Sequence, residues 1–179
     1  AMIVDDALHR IDSVLKMAPL GEAKHPQSPQ DGSVEVEHVR FSYDGQKDAL
    51  KDISLSIPSG RTIAFVGPSG GGKTTLANVI ARFFDPQEGT VKIGGADVRE
   101  IPKKELMNTV SFVFQNSRLI KASVLENVRM GKPGASREEV IKALENAQCG
   151  DIIAKLPRGE DTVIGTKGVY LSGGEQQRI

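Results

Sequence analysis

The chain has no tryptophan, a single cysteine (Cys149), and only six phenylalanines and two tyrosines among 179 residues. A lone thiol excludes an intramolecular disulfide and a thiolate cluster around zinc, and it points to a reducing compartment. Neither sign of charge is in excess, since 23 Lys and Arg face 23 Asp and Glu. That balance excludes a broad attraction to nucleic acid or anionic lipid and leaves room only for a local phosphate pocket. No nucleic-acid partner is therefore expected. No apolar run approaches the roughly 18 residues of a membrane span, and the start AMIVDDALHR lacks a secretory h-region. Internal repeats and low-complexity tracts are also missing. The remainder, 39% hydrophobic and 26% charged, is the composition of a folded globular domain long enough to bury a core without covalent staples.

Residues 1–33 differ from the rest. Asp5 or Asp6 can cap a short helix on which Leu8, Ile11 and Leu15 recur, after which Pro19, Gly21, Pro26, Pro29 and Gly32 make a linker. From Val34, VEVEHVRFSY alternates as a strand whose phase slips near Glu37–His38, which predicts a bulge. DISLSI continues the two-residue period, so an antiparallel, half-exposed sheet is expected. Thr62–Val66 (TIAFV) and Val110–Phe114 (VSFVF) are short, nearly continuous apolar runs of the kind found in parallel strands covered on both faces. Val91–Ile93 is a further short strand. Lys73 to Phe84 carries a helical stripe of Leu76, Val79, Ile80 and Phe83. Ser123–Val128, Ser136–Ala147 and Asp151–Leu156 read as helices, with a capping box from Ser136 to Glu139 and an i,i+4 pair of Glu138 with Lys142. The division is therefore a helix and linker (1–33), a β subdomain with the nucleotide-binding core (34–115), and a helical subdomain (116–179).

Two segments carry chemistry. Gly67–Pro68–Ser69–Gly70–Gly71–Gly72–Lys73–Thr74 fits the phosphate-loop pattern GxxxxGKT between an expected strand and an expected helix. Glycines let successive backbone N–H groups turn inward around phosphate oxygens, and the helix opening near Lys73 adds its positive end. Lys73 is placed for the β- and γ-phosphates and the Thr74 hydroxyl for Mg²⁺. The second segment is Leu171–Ser172–Gly173–Gly174–Glu175. Ser172 and Glu175 form a capping box, yet two glycines in a first helical turn cost roughly 1 kcal/mol each against alanine. Capping alone does not explain them, whereas close approach of an anion to bare N–H groups does.

GPSGGGKTT at 67–75 resembles the Walker A segment of the nucleotide-binding domains of ATP-binding cassette transporters of the exporter type. LSGGE at 171–175 resembles that family's signature sequence. Gln115, ending VSFVF, is similar to the Q-loop glutamine, and Tyr43, in FSYDG, to the aromatic that stacks on adenine. RFFDPQEGTVKIGG at 82–95 and LPRGEDTVIGTKG at 156–168 resemble the connecting segments of exporters. Nearly the whole chain is covered.

The resemblance implies an α/β phosphate-loop NTPase core with an antiparallel β subdomain and a helical subdomain. It implies ATP and Mg²⁺ as ligands, held by Gly67, Ser69, Gly70, Gly71, Gly72, Lys73, Thr74 and Thr75, with Tyr43 against adenine. Lys73 and Gln115 would be the catalytic side chains, and Thr74 and Gln115 would serve the metal. Ser172, Gly173 and Gly174, with Glu175, would complete the ATP site of a second nucleotide-binding domain, set head to tail in a homo- or heterodimer. ATP hydrolysis would power export through a fused transmembrane domain, with this domain on the cytoplasmic face of the cell membrane.

Thr166, in GTKG, stands where exporters usually carry a glutamate. The family's Walker B strand, catalytic glutamate and switch histidine follow the signature, whereas this sequence stops at Ile179. The expectation is thus a domain truncated just after the signature, its C-terminal core missing, that binds nucleotide weakly and does not hydrolyse it alone. The alternatives are a soluble cassette ATPase unconnected to transport, or a module that only binds nucleotide. LSGGE argues against a phosphate-loop kinase or GTPase.

Overall fold

The phase slip in VEVEHVRFSY is a β-bulge. Strand β1 (Val34–Ser42) pairs antiparallel with β2 (Asp48–Ile57) on one side and β3 (Glu88–Ile93) on the other. A short β4 (Ala96–Asp97) completes the order β2-β1-β3-β4. Register shifts between Val36 and Val39 against β2, and between Glu37 and Arg40 against β3. His38 takes a left-handed φ of 48° there, so Val36, Val39 and Phe41 all enter one core despite their uneven spacing. Gly89 crosses the bulge at φ 82°, where a Cβ would collide with the carbonyl oxygens of Glu37 and His38. Only glycine fits that crossing.

The computed structural model describes residues 19–165 and 169–179. The helix expected around Leu8, Ile11 and Leu15, and the departure at Thr166, lie outside them. The chain divides into two compact units, Ala1–Ser111 and Phe112–Ile179; the sequence reading placed its boundary after Gln115. No helix among the described residues is long and apolar enough to cross a membrane.

In the first unit, helix α1 (Lys73–Ile80) lays Leu76 and Val79 onto the sheet core with Val91, Ile93 and Ile101. Each fully buried side chain of this kind contributes about 1.5–3 kcal/mol relative to exposure. The expected helix to Phe84 stops at Ile80. Arg82 takes φ 56°, Arg82 N–H bonds the Val79 carbonyl and Phe83 N–H bonds the Asn78 carbonyl, which is a Schellman ending built on arginine instead of glycine. Helix α2 (Lys103–Thr109) was not anticipated; it adds Leu106 to the core. The linker residues 19–33 form no regular element, but they are tied down. Gln27 N–H bonds the Glu100 carbonyl at 2.8 Å, Gln30 N–H the Gly94 carbonyl at 3.0 Å, and Arg82 Nη2 the Gly21 carbonyl at 2.8 Å.

Two expected strands are corrected. Neither Thr62–Val66 nor Val110–Phe114 forms a ladder among the described residues, and their faces are not both covered: Val66 is 93% and Val113 66% exposed. A strand needs a ladder of N–H and C=O bonds with a neighbouring strand, and among the described residues neither run joins one. Their composition is that of a buried strand; their partner is what decides.

In the second unit, helices α3 (Val124–Arg129), α4 (Arg137–Asn146) and α5 (Gly150–Lys155) surround Val124, Leu125, Val140, Leu144, Cys149 and Ile152. Helix α6 (Gly173–Arg178) follows. The Ser136–Glu139 capping box forms as expected. The Glu138–Lys142 pair does not form among the described residues. Glu138 turns back to its own N–H and to Ser136, which holds its carboxyl below the usual range, while Lys132 takes Glu139 at 2.6 Å.

Candidate nucleotide site

The loop 67–72 is built on alternating backbone conformation. Gly70 and Gly72 have φ of 77° and 83°, and Gly71 N–H closes a turn onto the Pro68 carbonyl at 3.1 Å. Left-handed residues at alternate positions are what aim consecutive N–H groups into one concavity. Gly72 carries a second constraint, because a Cβ there would lie 2.8 Å from the Ala49 carbonyl oxygen on β2. The loop is thereby seated against the sheet.

Gly72 is also the N-cap of α1. It makes no side-chain cap bond, and the first turn of α1 contains no acidic residue. The orphan N–H groups at this end are left without an internal anion. Lys73 folds back across the loop and donates to the carbonyls of Gly67 at 2.9 Å and Pro68 at 2.6 Å. Neutral carbonyls are weaker partners for an ammonium than phosphate oxygens, so an incoming phosphate can capture it. Thr74 is exposed beside it. The donor set therefore fits a polyphosphate. Among the described residues no group of three or more His, Cys, Asp or Glu side chains could hold a metal ion. A cation at Thr74 would find no carboxylate or imidazole cage there and would draw ligands from phosphate oxygens, which suits Mg²⁺ travelling with a nucleotide.

Tyr43 follows the last residue of β1 and is 58% exposed. Its hydroxyl donates to Thr75 Oγ1 at 3.1 Å, so the structure brings together the expected base and phosphate residues. The adjoining turn is fixed by Asp44, which accepts from the N–H groups of Lys47 at 2.9 Å and Gln46 at 2.8 Å and from the Ser42 hydroxyl at 3.0 Å. Those bonds pull the Asp44 carboxyl down to about 2.

The remaining expected residues lie in the second unit. Gln115 is exposed in a turn after Phe114, and Gln177 of α6 donates to the Phe114 carbonyl at 3.4 Å. Ser172 caps α6: its hydroxyl accepts from Glu175 N–H at 3.3 Å, and its N–H bonds Glu175 Oε2 at 2.8 Å. The Ser172 N–H, then its hydroxyl, keeps the Glu175 carboxyl below the usual range. Gly173 and Gly174 have no left-handed φ, and a Cβ on either would meet nothing within 4 Å among the described residues. Among the described residues neither backbone conformation nor packing there requires glycine. The sequence reading missed Phe84 and Gln87, which touch the Tyr43 end of β1; neither belongs to a spacing pattern that could have revealed it.

A glycine loop with alternating left-handed residues, a lysine folded over it and an uncapped helix behind it define a phosphate-loop NTPase fold. The family model described as ABC transporter matches residues 50–179, and the chain belongs to that family. It is 44% identical over 154 residues to the mitochondrial iron-sulfur clusters transporter ATM1 of Candida glabrata, covering 85% of this chain and 21% of that protein. It is 42% identical over 160 residues to a putative multidrug export ATP-binding/permease protein of Staphylococcus aureus, covering 89% of this chain and 28% of that one. Among solved structures, a bacterial Atm1-family ABC exporter with ATP bound superposes with a TM-score of 0.84 at 34% identity, over 98% of this chain and 31% of the other. The chain thus spans between a fifth and a third of the proteins it matches.

Proposed function

We propose that this chain is the ATP-binding and ATP-hydrolysing part of a membrane exporter, working from the cytoplasmic face of the membrane. The observation that carries the reading is the bare opening of α1, with Gly72 uncapped, no acid in the first turn and the Lys73 ammonium lying over the loop. Mg–ATP supplies the transferable γ-phosphoryl group. The chain's own residues bind and orient it. Gly67, Ser69, Gly70, Gly71, Gly72, Lys73, Thr74 and Thr75 hold phosphates, Thr74 and Gln115 serve the metal, and Tyr43 faces adenine. Gln115 also orients water. The signature residues Ser172, Gly173 and Gly174, with Glu175 fixing their helix start, belong to the nucleotide of a second such domain in a head-to-tail dimer. Two glycines that this chain does not itself need support that assignment. Relatives described as carriers of iron-sulfur clusters and of drugs both match, so the proposal is export, with substrate choice assigned to a fused membrane domain.

The test is a calorimetric titration of Mg–ATP into wild type and Lys73→Ala, with phosphate release followed in parallel. Wild type should bind and the variant should lose more than tenfold in affinity; equal binding would refute the reading. Residues 1–179 alone should release no phosphate, and turnover that vanishes in Lys73→Ala would contradict this second point.

A further inference from the structure

We infer that Phe84, from the segment that follows α1, is a positioning residue for the nucleotide base: it fixes the plane of Tyr43 and so sets affinity for the adenine half of ATP. The inference rests on the reading of Tyr43 as the base platform. A half-exposed tyrosine just beyond a strand end would ordinarily sample several rotamers. Here three contacts hold it. The Phe41 ring lies 4.9 Å from it at 84°, the Phe84 ring 5.3 Å away at 86°, and its hydroxyl bonds Thr75. Phe41 and Phe84 also touch one another at 5.4 Å. Phe41 is buried and belongs to the sheet core, whereas Phe84 is 38% exposed, so its placement is not explained by core packing alone.

The segment carrying Phe84 is fixed at both of its ends, to α1 on one side and to the end of β1 on the other. Arg82 ends α1 in a left-handed turn and bonds Asp85 at 3.1 Å. Gln87 then bridges the Ser42 backbone, accepting its N–H at 2.9 Å and donating to its carbonyl at 2.8 Å. Gln87 N–H adds a bond to the Arg40 carbonyl at 3.1 Å. Residues 82–87 therefore act as a brace laid across Phe41–Tyr43, with Phe84 as its contact on the ring. A platform fixed before the base arrives loses less freedom on binding than one that must be ordered by it.

The experiment compares Mg–ATP with Mg–tripolyphosphate, which has no base, on the full chain by calorimetry. Wild type should bind ATP more tightly, and Tyr43→Ala should abolish that preference. Phe84→Ala should weaken ATP roughly three- to tenfold while leaving tripolyphosphate within twofold, the size of one aromatic contact. Phe84→Tyr, which keeps the ring, should restore ATP binding. A Phe84→Ala variant with unchanged ATP preference, or with parallel loss of both ligands, overturns the positioning role. If Tyr43→Ala leaves the ATP preference intact, or wild type shows none, the platform reading fails and this inference with it.

Discussion

Two kinds of helix start in this molecule contrast sharply, while α2 and α5, uncapped but with Glu105 and Asp151 in their first turns, lie between them. Helices α3, α4 and α6 open on Ser123, Ser136 and Ser172, each with a glutamate three residues on that closes a reciprocal capping box. Helix α1 opens on Gly72, with no side-chain bond and no acid in its first turn. The first kind fills its own positive end with a carboxylate; the second leaves that end to something else. A cap is worth roughly 1 kcal/mol, so leaving α1 bare is a cost to folding that nucleotide binding can offset. The comparison also separates the two motifs read as chemistry. The phosphate loop is open in this chain, whereas the signature helix is internally capped and still carries two glycines with empty space beside them.

The largest expected effect comes from making α1 resemble the others. Thr74 is exposed at the second helical position, the place that Glu138 holds in α4. Thr74→Glu should leave the melting temperature unchanged or slightly raised, since an acid near a helix start contributes about 0.3–1 kcal/mol. Mg–ATP affinity should fall more than tenfold, through charge repulsion and loss of the hydroxyl. Retained affinity in a titration would mean that the bare helix start is not where phosphate sits.

The converse change is smaller. Ser136→Ala removes the α4 cap and should cost about 1 kcal/mol in denaturant unfolding, with ATP affinity unaltered. A matching loss of affinity would show that the capped and bare starts do not divide structure from binding as described.

What the sequence revealed of this arrangement depended on whether the signal was local. The bulge at Glu37–His38 was legible because the alternation in β1 changes phase there, and the capping boxes at Ser136 and Ser172 because Ser and Glu sit at fixed spacing. The phosphate loop was legible because its glycines and lysine serve a local backbone shape. Helix α2 was not, since Leu106 is its one buried residue and a single residue makes no stripe. Thr62–Val66 and Val110–Phe114 misled because apolar composition says that a run prefers burial, not that it pairs in a ladder. The brace on Tyr43 was illegible for a related reason: Phe84 and Gln87 reach the end of β1 and Tyr43 across a long stretch of intervening chain, with no spacing rule to connect them.

Acid sharpens the contrast further. Glu126, Glu139 and Glu175 all have carboxyls below the usual glutamate range. The main cause is Ser123 N–H for Glu126, the Lys132 ammonium and then Ser136 N–H for Glu139, and Ser172 N–H for Glu175. Their folded values lie below the unfolded value of about 4.3. The stability they contribute is therefore complete above that value and lost as pH falls through the folded ones. Asp44, held at about 2, keeps its contribution furthest into acid. Melting temperature should fall progressively as pH drops below about 5, and Glu126→Gln should flatten part of that slope. An unchanged slope in Glu126→Gln would show that the α3 cap is not among the groups responsible.

The smallest expected effect is the most discriminating for α6. Gly173 is its first helical residue, with ordinary helical backbone and open space where a Cβ would go. In this chain alanine should therefore be tolerated, and Gly173→Ala should stabilise by about 0.5–1 kcal/mol or less, the penalty that glycine imposes in a helix. Mg–ATP affinity of the chain should not change, because no residue of α6 is assigned to its own nucleotide. Any requirement for glycine must then come from a surface that approaches α6 from outside, which is where the proposal puts the second domain's γ-phosphate. Measured in the proposed dimeric transporter, the same substitution should lower ATP hydrolysis while leaving binding intact. A stabilised chain with undiminished hydrolysis in the transporter would remove the trans-site role of Gly173. A destabilised chain would instead show that the glycine pair answers a packing demand within α6's own unit.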